Sequence, residues 1–129
     1  MQNKRELSRL RQRLRELATA MTEDLGPFLS NYPLRRGTVY TLRRKCSKPS
    51  CRCARGQLHE AVVLTASVSG KTRLWTIPKE DIETVRQETE RYRQFRKSRA
   101  ALAKRLAHRQ AEMLRIIDAI GRMRVQRHA

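Results

Sequence analysis

The fourteen-residue stretch from Cys46 to His59 holds all three cysteines of the chain and one of its three histidines. Written out, C-S-K-P-S-C-R-C-A-R-G-Q-L-H has the spacing C-x4-C-x-C-x5-H. Three thiolates and an imidazole make the ligand set of a closed structural zinc site, where the ion takes four N or S donors tetrahedrally. A short loop can wrap such a point without a large hydrophobic core. Pro49 and Ser50 favour a turn between the first two sulfurs, and Gly56 permits positive φ ahead of the histidine. Zinc held by Cys46, Cys51, Cys53 and His59 is the expectation. The alternative is three free, partly buried thiols beside an incidental histidine; thiols clustered next to Lys and Arg would then be reactive. The spacing is not that of the common fingers, so the match is to ligand chemistry.

Charge narrows the function. Lys and Arg number 30 against 12 acids, a net charge of +18 in 129 residues. Such a chain repels itself when folded and binds polyanions. At this length one domain with a modest core is the default. A disulfide framework does not fit three cysteines, and a reducing cytoplasm suits them best. Neither an apolar leader nor a membrane-length apolar run is present in the sequence, so a cytoplasmic protein with no membrane partner is expected.

The bases are also unevenly placed. Between Asp24 and Glu60 there is no acid, while Arg35, Arg36, Arg43, Arg44, Lys45, Lys48, Arg52 and Arg55 all fall in that window. Eight uncompensated bases centred on the candidate metal loop point to a phosphate-contacting surface.

Taken in order, residues 3 to 22 read as a helix, because Leu7, Leu10, Leu14, Leu17 and Met21 alternate at three and four. That seam either packs on its own domain or pairs with another chain, since an isolated helix of this length is marginal in water. Gly26-Pro27 ends the element and the chain stays irregular to about residue 36. Thr38 to Lys45 has strand character, as do Ala61 to Val68 and Lys71 to Ile77, joined by a two-residue turn at Ser69-Gly70. That turn sets Val68 against Lys71, Ala66 against Arg73, Leu64 against Trp75 and Val62 against Ile77 on one face. Val62, Leu64, Trp75 and Ile77 are the expected core; Lys71 and Arg73 form a second cationic point at the tip.

Pro78 stops the strand and opens a helix whose first turn carries Glu80, Asp81 and Glu83, as the macrodipole favours. The helix runs from about 79 to 125, with a break near Ser98 as an option. Val85, Tyr92, Leu106, Met113 and Ile120 hold one heptad position; Phe95, Leu102, Ile116 and Met123 hold its companion. Glu88, Arg99 and Arg109 interrupt the seam. Residues 91 to 127 carry twelve bases against Glu112 and Asp118, a second basic region. His108 and His128 read as solvated. The expected fold is α+β: an N-terminal heptad helix (1–24), a zinc-knuckle and β-hairpin module with a three-stranded antiparallel sheet (36–78), and a long basic C-terminal helix (79–127).

The run K-C-S-K-P-S-C-R-C-A-R-G-Q-L-H, followed by G-K-T-R and I-P-K-E, resembles a group of small bacterial proteins classed as a domain of unknown function. The likeness covers about residues 36 to 97. Cys46, Lys48, Pro49, Cys51, Cys53, Ala54, Gly56, His59, Gly70, Lys71, Thr72, Arg73, Pro78 and Lys79 match the pattern. Ser47 departs from a glycine and Glu60-Ala61 from Gly-Pro. The resemblance implies a compact unit and brings no activity with it.

The function expected is a non-enzymatic, zinc-stabilised nucleic-acid-binding protein. Arg43, Arg44, Lys45, Lys48, Arg52, Arg55, Lys71 and Arg73 are its candidate phosphate contacts, and arginine suits bidentate phosphate binding. DNA and RNA remain equally open, because no helix-turn-helix or RNP aromatic pattern appears. The alternative is a protein-interaction module, dimeric or gripping a partner through its heptad helices, which includes an accessory subunit of a nucleic-acid enzyme. Enzymatic activity is not expected: the acids sit mostly on helix surfaces and no Ser-His-Asp or phosphate-loop pattern is present.

Overall fold

A computed structural model describes residues 2–126; His128 and the last residue of the expected 79–127 segment lie outside the described residues. The chain divides into two units, one running from Asn31 to Gln94 and the other joining the segment up to Ser30 with the chain from Phe95 onward. The first is continuous in sequence, and the second is built from two segments distant in sequence.

In the helical unit, α1 spans Gln2–Asp24 and is followed by a 3-10 turn at Gly26–Phe28 with Pro27 near its start. The expected seam is the packed face: Leu17 is fully buried, and Leu7, Leu10, Leu14 and Met21 are half-buried. Its counterpart lies on the distal part of α2, a single unbroken helix of 43 residues from Ile82 to Arg124. There Leu102 and Ile116 are buried, and Leu106, Met113, Ile120 and Met123 are half-buried. Ion pairs give the sense of the pairing. Arg13 holds Glu112 through Nε to Oε1 at 2.9 Å and Nη2 to Oε2 at 3.2 Å. Asp24 meets Arg109 at 3.0 Å and Arg105 at 3.7 Å. As position climbs along α1 its partner falls along α2, so the two run antiparallel. Phe28 closes this end, edge-on to Phe95 with centroids 5.3 Å apart. The seam therefore finds a partner within its own chain, and Ser98 marks no break.

In the other unit, β1 (Thr38–Arg44), β2 (His59–Val68) and β3 (Lys71–Thr76) form an antiparallel sheet in the order β1-β2-β3. The hairpin register is the one expected: Val68 faces Lys71, Ala66 faces Arg73 and Leu64 faces Trp75. Ser69 and Gly70 both have positive φ, 51° and 80°, the mirror-image turn whose twist suits a two-residue hairpin. The ladder ends at Val63 opposite Thr76, one pair short of Val62 and Ile77. Those two still touch, since the Ile77 N–H donates to the Val62 carbonyl at 2.9 Å. Pro78 leads into a single 3-10 turn, Lys79–Asp81, before α2 begins at Ile82, so Glu80 and Asp81 precede the α-helix.

The first turns of α2 cover one face of the sheet. Leu64, Ile77 and Val85 form the buried cluster, flanked by Val39, Val62 and Ile82. Trp75 is a correction to the expected core, being 42% exposed. The cluster lies over β1, β2 and Ile77, whereas β3 is an edge strand exposed along its whole length. Glu88, which interrupts the heptad, is buried against Arg35: the Arg35 backbone N–H donates to the Glu88 carbonyl at 3.2 Å, and Nη2 reaches Oε1 at 3.2 Å. Gly37, at φ 129°, crosses β2 so closely that a Cβ there would stand 2.6 Å from the Thr65 carbonyl oxygen.

Candidate metal centre and the bases around it

Strand pairing brings the outer two ligands together. Arg44, the last residue of β1, sits opposite His59, the first of β2, and Cys46 follows two residues beyond Arg44. The intervening loop folds back in two steps. A turn over Pro49 and Ser50 is closed by the Cys51 N–H donating to the Lys48 carbonyl at 3.2 Å. A 3-10 turn, Arg52–Arg55, then carries Cys53 inward, where it is 1% exposed. Gly56 ends that turn at φ 102°, a left-handed position that a side chain rarely adopts, and its N–H donates to the Cys53 carbonyl.

The four donor atoms of Cys46, Cys51, Cys53 and His59 all lie within 4.8 Å of one another. Cys46 and Cys53 have their Sγ atoms 3.3 Å apart, and the Cys46 backbone N–H donates to Cys53 Sγ at 3.2 Å. Cys51 Sγ stands 3.1 Å from His59 Nε2. The three cysteines are free thiols. A tetrahedral ion with bonds of about 2.0–2.3 Å spaces its donors about 3.5–3.8 Å apart. Opening the two short contacts by about half an ångström and closing the widest separation by about one reach that spacing, so the group can hold a metal ion. The backbone amide of Cys53, then the thiols of Cys46 and Cys53, and His59 as well, hold the Cys51 thiol down at about 6. For Cys46 the Lys48 amide pulls downward, but the neighbouring Cys53 and Cys51 thiols and desolvation together push the thiol up.

The eight expected phosphate contacts are not equivalent. Arg43 faces Glu60 across the β1–β2 ladder, with Nε 3.0 Å from Oε1. The acid that closes the acid-free window in sequence is thus brought against one of its bases. Arg44, Lys45, Lys48, Arg52 and Arg55 are exposed and form no ion pair among the described residues. Lys71 and Arg73 are likewise exposed, but at the other end of β2. Ten residues of strand separate His59 from Val68, roughly 30 Å at about 3.3 Å each. The metal loop and the hairpin tip are therefore two cationic points, not one patch.

Sequence reasoning did not single out a groove of about 800 Å³ between the covered sheet face and α2, lined by Leu64, Trp75, Ile77, Val85, Arg35 and Arg36 among others. The available signal was strand parity, which sets Lys71, Arg73 and Trp75 on one face. Nor did it single out Arg13, which joins Lys104, Arg105, His108 and Arg109 round a cleft of about 480 Å³ in the helical unit. No helix among the described residues is long and apolar enough to cross a membrane.

Four converging donors on a strand-end loop, backed by an antiparallel sheet and a helix, define a module built round a candidate metal centre. The chain belongs to the family described as a domain of unknown function (DUF6788), which it matches over residues 4–87. The match takes in α1, which the resemblance drawn from the motifs left outside, and stops before the distal part of α2. A heptad helix has no distinctive motif by which a reader could have included it. No curated protein and no solved structure matches the chain.

Proposed function

We propose that the loop holds a structural zinc ion on Cys46, Cys51, Cys53 and His59, and that the protein is a non-enzymatic nucleic-acid-binding protein of the cytoplasm. The observation that carries this reading is the coincidence of the four-donor cluster with five exposed bases that have no acidic partner: Arg44, Lys45, Lys48, Arg52 and Arg55. Zinc suits a donor set of three thiolates and one imidazole, and bound there it would tie the loop to the ends of β1 and β2. Arg52 and Arg55 flank the buried Cys53 within one 3-10 turn, so fixing that cysteine fixes the backbone from which both side chains extend. Cations held in place lose less freedom on meeting a phosphate than a disordered tail would. Lys71 and Arg73 would form a second contact about one strand length away. Free thiols accord with a reducing compartment.

Two measurements test the proposal. Elemental analysis of protein purified without added metal should return one zinc per chain, and less in Cys51→Ser. Fluorescence anisotropy should show nucleic-acid binding that weakens steeply as salt rises. Correctly folded protein free of any transition metal sinks the first half; affinity indifferent to salt sinks the second.

A second reading, a module that grips a partner protein, draws on Leu114 and Ile117. They lie on α2 off the heptad positions and are 52% and 47% exposed. Their replacement by Asp would then abolish self-association or partner binding in sedimentation while leaving nucleic-acid affinity unchanged.

A further inference from the structure

The groove beside β3 combines features that the metal loop lacks. Its floor is apolar, with Leu64, Ile77 and Val85 buried beneath it, and its helix side adds Thr84 and Glu88. Its open wall is Trp75, on an edge strand whose outer side no other strand covers. Strand alternation puts Arg73 and Lys71 on the same face as Trp75, in steps of roughly 7 Å. Arg35 and Arg36 line the groove as well. Of the two acids that line it, Glu88 is already neutralised by Arg35, and Asp81 stands just ahead of the positive end of α2. A volume of about 800 Å³ lies within the roughly 300–1,000 Å³ of small-ligand clefts.

We infer that this groove seats an unpaired base of a single-stranded nucleic acid, stacked on Trp75, with Arg73 and Lys71 on the adjoining phosphates. The inference rests on the nucleic-acid reading proposed above and specifies the strandedness of what is bound. An exposed indole over an apolar floor asks for a flat, desolvated π-face. A ladder of cations running away from it asks for a chain of anions attached to that face. A duplex offers the second but keeps its base faces in the stack; a single strand offers both. Arg36 is already oriented, its Nε donating to the Tyr92 hydroxyl at 3.1 Å, which leaves its terminal nitrogens directed elsewhere. Arg36 is exposed, so those nitrogens are accessible to a backbone phosphate.

Trp75 is the chain's only tryptophan, so its emission reports on this groove alone. Full-length protein is titrated with oligothymidylate, with oligouridylate and with a duplex of equal length. Emission is followed together with the anisotropy of a labelled copy of each oligonucleotide. Either single strand should quench Trp75 to saturation, and the duplex should bind without comparable quenching. Trp75→Leu should weaken single-strand affinity by about 5- to 150-fold, the effect of removing one stacked base, while Trp75→Phe should stay within a few-fold of the parent. Arg52→Ala with Arg55→Ala should lower affinity yet leave the quench at saturation intact. Single strands that bind by anisotropy with Trp75 emission unchanged would overturn the groove and leave the nucleic-acid reading standing. Absence of any anisotropy change would overturn both. Emission altered by an acidic peptide and by neither oligonucleotide would assign the groove to a protein partner and overturn the inference.

Discussion

Arg43 on β1 and Arg52 in the metal loop are both exposed, yet their replacement by alanine should have unequal effects on nucleic-acid binding. Among the described residues five bases near the metal loop have no ion pair: Arg44, Lys45, Lys48, Arg52 and Arg55. If each neutralises one phosphate of duplex DNA, log affinity falls against log salt with a slope of about −4.5, since each contact contributes about 0.9. Between about 50 and 200 mM salt that is a loss of about 500-fold. Removing Arg52 and Arg55 together flattens the slope by about 1.8 and cuts the loss over the same range to about 40-fold. Arg43 has an acid 3.0 Å away, and a phosphate that met it would also meet the Glu60 carboxylate. Arg43→Ala should therefore barely change the slope. Glu60→Gln, which frees Arg43 and removes the repulsion, should strengthen binding and steepen the slope by up to about 0.9. Anisotropy of a labelled duplex across a salt series reads the parent and the four variants, with circular dichroism as the control for folding. An Arg43→Ala slope as flat as that of Arg52→Ala would refute the reasoning, as would a double variant with an unchanged slope.

Leu17→Ala removes the one fully buried side chain of α1 and should destabilise the helical unit by about 2–5 kcal/mol in urea denaturation followed by circular dichroism. A loss below about 1 kcal/mol would mean that the seam is not packed there. Gly37→Ala forces a Cβ to 2.6 Å from the Thr65 oxygen at φ 129°, and about 1–3 kcal/mol of strain should appear as a lower urea midpoint. In protein stripped of metal, iodoacetamide should modify Cys51 first, with a rate half-maximal near pH 6, where its thiol is held at about 6. The sign follows from an acid lowered on folding. Its contribution to stability is fully present above the ordinary thiol range and is lost as pH falls through about 6. A half-maximal rate near 8.5, the ordinary thiol value, would contradict this.

The parts of this fold legible in sequence were those governed by local chemistry. The hairpin register followed from two turn residues, and the helical seam from a three-four spacing that leaves one stripe apolar. Trp75 was misread because alternation says which side of a strand a residue takes and not how far a helix extends over that side. The core stops at Ile77 and Leu64, and the edge strand lies beyond it. The heptad interruptions at Glu88 and Arg109 looked like defects in a coiled coil. Each is instead one half of an ion pair whose other half, Arg35 or Asp24, is more than fifty residues away in sequence. No periodicity within α2 carries that information. The acid-free window does not carry over whole into space for the same reason, since Glu60 ends it in sequence but lies across the ladder from Arg43.

The metal loop and the sheet bear on each other through register. A one-residue slip of β1 against β2 would turn every side chain of the slipped strand to the opposite face. His59 would then no longer lie opposite Arg44, and the short path from Arg44 to Cys46 would present its sulfur to the wrong side. The same slip would take Val39 off the face that packs on Leu64, Ile77 and Val85. Convergence of the Cys46 and His59 donors and packing of Val39 therefore demand a single pairing, one through donor geometry and the other through apolar contact. Agreement between two unrelated forces is what makes a sequence specify one structure. It also bears on a small sheet with a thin core: a metal ion bound by the four donors would hold the register at the end of β1 and β2 that lies away from the buried cluster.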